Sequence, residues 1–205
     1  NQILEERDVG WLKGPFTEKE IDEMVGSQQW LATRRFPLEQ RDKTRLIDDA
    51  LASGLNSAYG TSNKLTLFDV DTLVSMVVQV AKAVQRPQSP LSTSMGEEIP
   101  LNVSPAWTKP YEVLGRTLDL QSAYKQIGPF MPDLWNRVIM VYDPESKGPR
   151  YFISSALMFG STAAVYAFNR MSRSLWHILT HILTLWATVY HDDFPMVEID
   201  RKSVG

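Results

Sequence analysis

The chain has 205 residues, a formal net charge of −3 and no cysteine. This length allows one substantial domain or two interleaved lobes that share a core. The lack of cysteine excludes disulfides and thiolate metal sites, and the negative charge argues against a protein that coats nucleic acid non-specifically. No apolar run reaches the roughly 20 residues of a membrane span. We expect no membrane partner and an intracellular location, in the cytoplasm or nucleus.

The first half of the chain predicts two helices separated by extended chain. TEKEIDEMV (17–25) opens with Thr17 and has Glu20 three residues later, a capping-box pattern. RRFPLEQRDKTRLIDD (34–49) predicts extended chain around a polar turn. DVDTLVSMVVQVAKAVQ (69–85) has a broad apolar stripe after an aspartate and predicts a buried helix. Residues 86–110 hold five of the twelve prolines, which predicts a loop or an insertion.

The second half predicts strands around one long helix. YEVLGRTLDL (111–120) alternates and predicts a strand with Asp119 at its tip. RVIMVYDPESKGPRYFISSAL (137–157) predicts a hairpin around DPESKGP, and residues 160–183 predict a helix that begins near Ser161. TLWATVY and FPMVEID predict two short strands around a tight turn holding Asp192 and Asp193. This order of elements indicates an α+β fold in which helices back an antiparallel sheet.

Three acids can meet in such a sheet. Two neighbouring antiparallel strands would bring Asp119 to the same sheet edge as Asp192 and Asp193, where three carboxylates would repel each other without counter-charge. Two divalent cations roughly 3.5–4 Å apart would neutralise them, an arrangement that serves in-line phosphoryl transfer. Mg²⁺ suits an all-oxygen site of this kind, with Mn²⁺ as an alternative. A solvated turn is the alternative interpretation of an isolated acidic pair.

Basic residues concentrate upstream, between residues 34 and 45. On charge alone, an ordinary solvated face is the simpler interpretation of such a cluster. Its members, set against Glu39 and Asp42, are Arg34, Arg35, Arg41, Lys43 and Arg45.

Four segments together resemble a known family. TLDLQSAYKQ (117–126), LMFGSTAAVYAFNR (157–170) and YHDDFP (190–195) resemble, in this order, the palm motifs of reverse transcriptases, most closely those of retrotransposon type. KTRLIDDALASGLN (43–56) resembles the fingers motif of the same enzymes. The resemblance implies the fingers and palm of a right-hand polymerase, with the thumb absent and lying beyond Gly205. The implied regions are fingers at 1–112 with a Pro-rich insertion at about 86–110, palm at 113–127, a fingers/palm hairpin at 128–155 and palm at 156–205.

The resemblance also implies an activity and its residues. The activity is RNA-directed DNA polymerisation, a two-metal nucleotidyl transfer that uses an RNA template, a DNA primer and deoxynucleoside triphosphates. Asp119, Asp192 and Asp193 would be the catalytic and metal-binding residues. The implied nucleotide-binding residues are Lys43, Arg45, Leu120, Tyr124, Phe159 and Gly160.

Each of these nucleotide-binding residues has an implied role. Lys43 and Arg45 would clasp the triphosphate, and the Leu120 carbonyl would be an extra ligand. Tyr124 would lie under the sugar and exclude a ribose 2′-hydroxyl. Phe159 and Gly160 would lie near the templating pair, where a missing Cβ permits close approach.

Other interpretations stay open at this point. The chain could be inactive without its thumb, or be a decayed retroelement fragment that binds only nucleic acid or a partner. A third alternative is a His/Asp metal-dependent phosphohydrolase, in which His191 and Asp192 would share a helix. The β-branched and aromatic residues around them, and Pro195, favour strand instead. His177 and His181 have metal-ligand spacing but no nearby third ligand, and the oligomeric state is open.

Overall fold

A computed structural model describes residues 2–41, 43–61, 64–86, 90–93, 95–100, 113–129 and 131–199, without the side chains of 43, 84, 91, 131, 132 and 199. The helices and strands, in chain order, are α1 (Gln2–Asp8), β1 (Leu12–Phe16), α2 (Glu18–Val25), β2 (Ala32–Gln40), β3 (Lys43–Asp49), α3 (Val70–Gln85), β4 (Leu91–Ser92), β5 (Glu98–Ile99), β6 (Val113–Asp119), β7 (Val138–Asp143), β8 (Gly148–Ser154), α4 (Thr162–His177), β9 (Trp186–Ala187) and β10 (Asp193–Ile199). Short 3₁₀ turns span Leu55–Ser57, Ala123–Gln126 and Met131–Asn136, and a π-helical turn spans Ile178–Ile182. The fold is therefore α+β, as predicted.

The chain divides into two compact units, each made of two separate stretches. The first unit contains residues 1–65 and 121–169, and the second contains residues 66–120 and 170–205. Each unit has its own main sheet. This division does not test the predicted fingers and palm boundaries, which stay predictions.

Local capping signals define where the helices begin. The Thr17 hydroxyl accepts a hydrogen bond from the Glu20 amide at 3.4 Å, while the Glu20 carboxylate accepts one from the Thr17 amide at 2.7 Å. This reciprocal pair confirms the predicted capping box. The Asp69 carboxylate accepts a hydrogen bond from the Thr72 amide at 3.0 Å, so α3 begins where the sequence predicted.

The main sheet of the first unit has the strand order β1-β8-β7-β2-β3. The predicted hairpin at 137–157 is confirmed, since β7 pairs antiparallel with β8. The predicted extended chain at 34–49 forms a second hairpin, in which β2 pairs antiparallel with β3. However, β2 and β7 run parallel, with Ala32 opposite Val138, so this sheet is mixed. The expectation of an antiparallel sheet is wrong for that pair, because alternation in a sequence reveals a strand but not its partner.

Apolar side chains cover both faces of this sheet. Ile21 of α2 packs with Val138 and Ile153 in one cluster. The neighbouring residues on these two strands belong to the other cluster, in which Ile139 packs with Phe152. Successive side chains of a strand point to opposite faces, so β7 and β8 contribute to a core on each side.

The second unit contains an antiparallel sheet with the order β6-β10-β9. Helix α3 packs against β10. The Trp176 indole donates a hydrogen bond to the Ala187 carbonyl at 2.7 Å, and its ring lies 4.8 Å from that of Phe68. Helices thus back this sheet, as predicted. Within the predicted loop at 86–110, β4 and β5 form a small hairpin, whereas residues 101–112 lie outside the described part of the chain.

The prediction that α3 is a buried helix is wrong. Val70 is 72% exposed, and Val74, Val77 and Val78 are between 37% and 53% exposed, whereas Val80 is buried. These four exposed valines follow helical spacing along one face, so α3 is buried on one side only. The apolar content of a helix shows which residues can be buried, but its neighbours decide how many of them are covered.

In the described part of the chain, no helix is both long enough and apolar enough to span a membrane.

Candidate active site

Strands β6 and β10 bring the predicted acids to one end of a sheet. Asp193 lies directly opposite Asp119, and the register continues without interruption to Ile199 opposite Val113. The Leu120 amide donates a hydrogen bond to the Asp192 carbonyl at 3.2 Å. Side chains directly opposite on antiparallel strands have Cβ atoms about 4.5–5.5 Å apart. The register therefore places two carboxylates side by side, with the third in the adjoining turn.

A two-residue turn carries the third acid. Tyr190 and Asp193 exchange backbone hydrogen bonds of 2.9 and 3.0 Å, which close a loop made of His191 and Asp192. His191 has a φ of +55°, and a positive φ at this position suits the twist of an antiparallel hairpin. The predicted tight acidic turn is confirmed. His191 and Asp192 do not share a helix, so the arrangement required by the phosphohydrolase alternative is not present.

Buried residues flank this turn on both sides. Phe194 is fully buried and Val189 is 3% exposed, whereas Asp119 and Asp193 are exposed. Because side chains alternate along a strand, the buried Phe194 holds β10 in place while the neighbouring Asp193 reaches solvent. The backbone therefore holds Asp119 and Asp193 at fixed positions, and their carboxylates are accessible to a ligand.

The charge of these acids is not compensated within the described residues. No described lysine or arginine forms an ion pair with Asp119, Asp192 or Asp193. Nor does any group of three or more described histidine, aspartate or glutamate side chains have an arrangement that could hold a metal ion. Mg²⁺ is usually held by one or two protein carboxylates together with substrate phosphates and water. The donor type and the Asp119–Asp193 register fit such an ion, although the three side chains do not form a closed cluster.

The predicted basic residues of the fingers motif lie on β3 in the first unit. Lys43 pairs with Gln40 and Arg45 pairs with Leu38 across the hairpin. The Arg45 side chain is exposed, as a phosphate-binding residue must be, whereas the side chain of Lys43 lies outside the described part of the chain.

Arg35 does not belong to this exposed basic face. Its side chain is 2% exposed, and its guanidinium donates to the two Asp48 carboxylate oxygens at 2.6 and 2.9 Å and to Glu6 at 2.6 Å. Burial alone would lower the pKa of Arg35, but the hydrogen bonds and charge of Asp48, and then Glu6, raise this pKa above its usual value. Arg35 therefore stabilises the first unit, a role that its place in a basic run did not indicate.

Gly160 sits in a tight loop in which any larger residue would be strained. Its φ is +101°, and a Cβ atom there would lie 2.4 Å from the Asp48 carbonyl oxygen. Asn56 holds the loop from the side, since its amide nitrogen donates to the Gly160 carbonyl at 3.2 Å and its oxygen accepts from the Thr162 amide at 2.7 Å. One side chain thus fixes both the loop and the first turn of α4.

Three aromatic rings form a cluster next to this loop. The ring of Tyr124 is nearly parallel to that of Phe168, with centroids 4.6 Å apart and an interplanar angle of 20°. Phe159 meets Tyr124 edge-on at 5.9 Å and 82°. Phe168 is fully buried, Tyr124 is half-buried and Phe159 is 49% exposed. The cluster therefore extends from the core to the surface.

The structure brings together two groups of predicted residues. In the second unit Asp119, Leu120, Asp192 and Asp193 meet at the end of the β6–β10 pair. In the first unit Tyr124 contacts Phe159, which precedes Gly160.

Two supporting residues were not found from the sequence. One is Phe168. The other is Asn56, whose two hydrogen bonds reach residues more than 100 positions away. No local pattern marks an interaction of that range.

Comparisons with protein-family models and with curated proteins found no match to this chain.

Proposed function

We propose that this chain is the fingers and palm portion of an RNA-directed DNA polymerase from a retroelement. The observation that supports it most directly is the register that pairs Asp119 with Asp193, with Asp192 hydrogen-bonded through its carbonyl to Leu120. Three carboxylates from two distant parts of the sequence share one end of a sheet, accessible to solvent. An all-oxygen donor set at an accessible position is what two-metal phosphoryl transfer requires.

The proposed reaction is nucleotidyl transfer to a primer. The primer 3′-hydroxyl oxygen forms a bond to the α-phosphorus of a deoxynucleoside triphosphate, the hydroxyl loses its proton, and the bond to the pyrophosphate oxygen breaks. Divalent ions, when bound, would lower the pKa of the attacking hydroxyl and stabilise the leaving oxygen. The role of Asp119, Asp192 and Asp193 is to supply oxygen ligands at fixed positions, so that catalysis depends on orientation and electrostatics.

The residues proposed to bind the nucleotide are assigned from the sequence resemblance. Arg45, exposed on β3, and Lys43 would contact the triphosphate. Tyr124 would restrict the sugar to deoxyribose, and its contacts with neighbouring rings support a fixed position. Phe159 and Gly160 would lie near the templating pair, and the lack of a Cβ at Gly160 is consistent with a close approach of backbone groups.

Primer extension on an RNA template with Mg²⁺ or Mn²⁺ tests the proposal. Asp119→Asn and Asp192→Asn each remove a charged ligand with little change of shape, and we expect both to abolish extension while the far-ultraviolet circular dichroism is unchanged. Glu198→Gln is the matched control, because Glu198 lies on the same strand β10 but pairs with Arg116 at 2.6 Å, away from the turn. Extension that survives in either aspartate variant would refute the assignment.

Metal binding can be measured without substrate. We expect Mn²⁺ to raise the unfolding temperature of the wild type and to have a smaller effect on Asp119→Asn, because a ligand that binds only the folded state stabilises it. A protein that binds RNA but shows neither extension nor this metal response would instead be the binding-only alternative.

A further inference from the structure

The ring of Tyr124 rests against a second ring that cannot move easily. Phe168 lies in α4, has no exposed surface and stacks on Tyr124 with a centroid distance of 4.6 Å. Ser161 and Ala164, which precede it on the same buried face, are 6% and 4% exposed. A side chain anchored in the middle of a packed helix face has little freedom to change rotamer.

Tyr124 itself lies in a much shorter element. The 3₁₀ turn Ala123–Gln126 follows Ser122, whose φ is +55°, and it is closed by the hydrogen bond from the Lys125 amide to the Ser122 carbonyl at 2.7 Å. Such short turns have poorer hydrogen-bond geometry than an α-helix. The rings packed around Tyr124 therefore help to hold its ring in place.

We infer that Phe168 is a positioning residue that sets sugar specificity by holding the Tyr124 ring in place. The inference rests on the proposed polymerase function, because it requires Tyr124 to contact the sugar of the incoming nucleotide. A ring excludes a 2′-hydroxyl only if it cannot retreat when the hydroxyl presses on it. Phe168 blocks that retreat from one face of the ring, whereas Phe159 is half exposed and meets the ring at an interplanar angle of 82°.

Phe168→Leu separates this role from a general contribution to folding. Leucine keeps the site apolar but removes the flat surface and leaves space into which Tyr124 can move. Stacked aromatic pairs contribute enough beyond their buried area to change an equilibrium by about two- to tenfold. We expect the preference for deoxynucleotides over ribonucleotides to fall by about that factor in the variant, with a smaller effect on deoxynucleotide incorporation.

The test compares kcat/KM for one deoxynucleotide and the matching ribonucleotide on an RNA template. The variants are Phe168→Leu, Tyr124→Ala as the reference that lacks the excluding ring, and Phe152→Leu as the matched control. Phe152 is also a buried phenylalanine of the first unit, 5% exposed, but packs in the sheet core with Leu12 and Ile139. We expect Phe152→Leu to lower stability without changing sugar preference. If Phe168→Leu does not fold, Phe168→Met fills the site with a flexible apolar chain and should show the same loss of preference.

The outcomes distinguish the inference from the function on which it rests. If Tyr124→Ala admits ribonucleotides while the folded Phe168 variant discriminates like the wild type, the positioning role is wrong and the polymerase proposal stands. An equal loss of preference in Phe152→Leu would also overturn the role, since destabilisation alone would then explain it. If the wild type incorporates no nucleotide, the proposed function fails, and the inference fails with it.

Discussion

Replacing Gly160 with alanine should damage the first unit more than replacing any glycine that has open space around it. The new Cβ would lie 2.4 Å from the Asp48 carbonyl oxygen, about 1 Å closer than the 3.4 Å at which ordinary contact begins. The Asp48 backbone cannot yield easily, because both oxygens of its side chain accept hydrogen bonds from the buried Arg35. The φ of +101° adds backbone strain.

The magnitude follows from these two contributions. An unfavourable φ costs about 1–3 kcal/mol, and forcing an extra carbon into a packed site costs about 1–3 kcal/mol. We therefore expect Gly160→Ala to lower the free energy of unfolding by about 2–6 kcal/mol. Gly54→Ala is the matched control, because Gly54 belongs to the same unit and has a φ of +76°, but a Cβ atom there would meet no other atom within 4 Å. That variant should lose only the cost of the left-handed conformation, about 1–2 kcal/mol.

Urea denaturation of the two variants beside the wild type measures both values. The difference between the variants isolates the contact with Asp48 from the effect of backbone conformation, since alanine restricts the unfolded chain equally at both sites. Equal destabilisation would refute the close approach and leave only the φ requirement. In the proposed polymerase, Gly160→Ala should also reduce primer extension at temperatures where the variant is still folded, because the loop after Phe159 is displaced.

Three further predictions concern the contacts that support the fold. Asn56→Ala should lower the free energy of unfolding by about 1 kcal/mol through the lost cap on α4, and Asn56→Asp should lose less because it keeps the acceptor. Hydrogen exchange of the Thr162 amide measures the same cap, and full protection of that amide in Asn56→Ala would contradict this role. Arg35→Met should lower the free energy of unfolding by about 3–5 kcal/mol, because it leaves a buried carboxylate unpaired. In a double-mutant cycle, adding Asp48→Leu to this variant should recover most of the lost stability, and additive effects of the two changes would argue against the pair. The hydrogen bonds from Thr72, first from its backbone amide and then from its hydroxyl, lower the pKa of Asp69 below its ordinary value of 3.8, so its stabilising effect is present above that pH and is lost as the pH falls through the lowered value. Because asparagine also caps helices, Asp69→Asn should match the wild type at neutral pH and lose less stability in acid, and thermal unfolding across the acid range that showed identical slopes would disprove it.

The sequence by itself determined the local structure of this protein. The Thr17–Glu20 capping box, the start of α3 after Asp69 and the β7–β8 hairpin all follow from interactions between residues that are near each other in the chain. The tight turn at His191 and Asp192 belongs to the same class, because its short loop and flanking strand formers are local signals. The stability of these local elements depends on residues that are near each other in the chain, so a sequence pattern is enough to predict them.

Only the tertiary structure decided which distant segments meet. The pairing of Asp119 with Asp193 was an expectation that depended on strand order, and the register of β6 and β10 settled it. The parallel pairing of β2 with β7, the burial of Arg35 and the exposed valines of α3 could not be predicted, because each depends on what another part of the chain covers. The hydrogen bonds that Asn56 donates to the Gly160 carbonyl and accepts from the Thr162 amide could not be predicted for the same reason. Residue type fixes what a side chain can do, and the topology of the sheets decides which partner it finds.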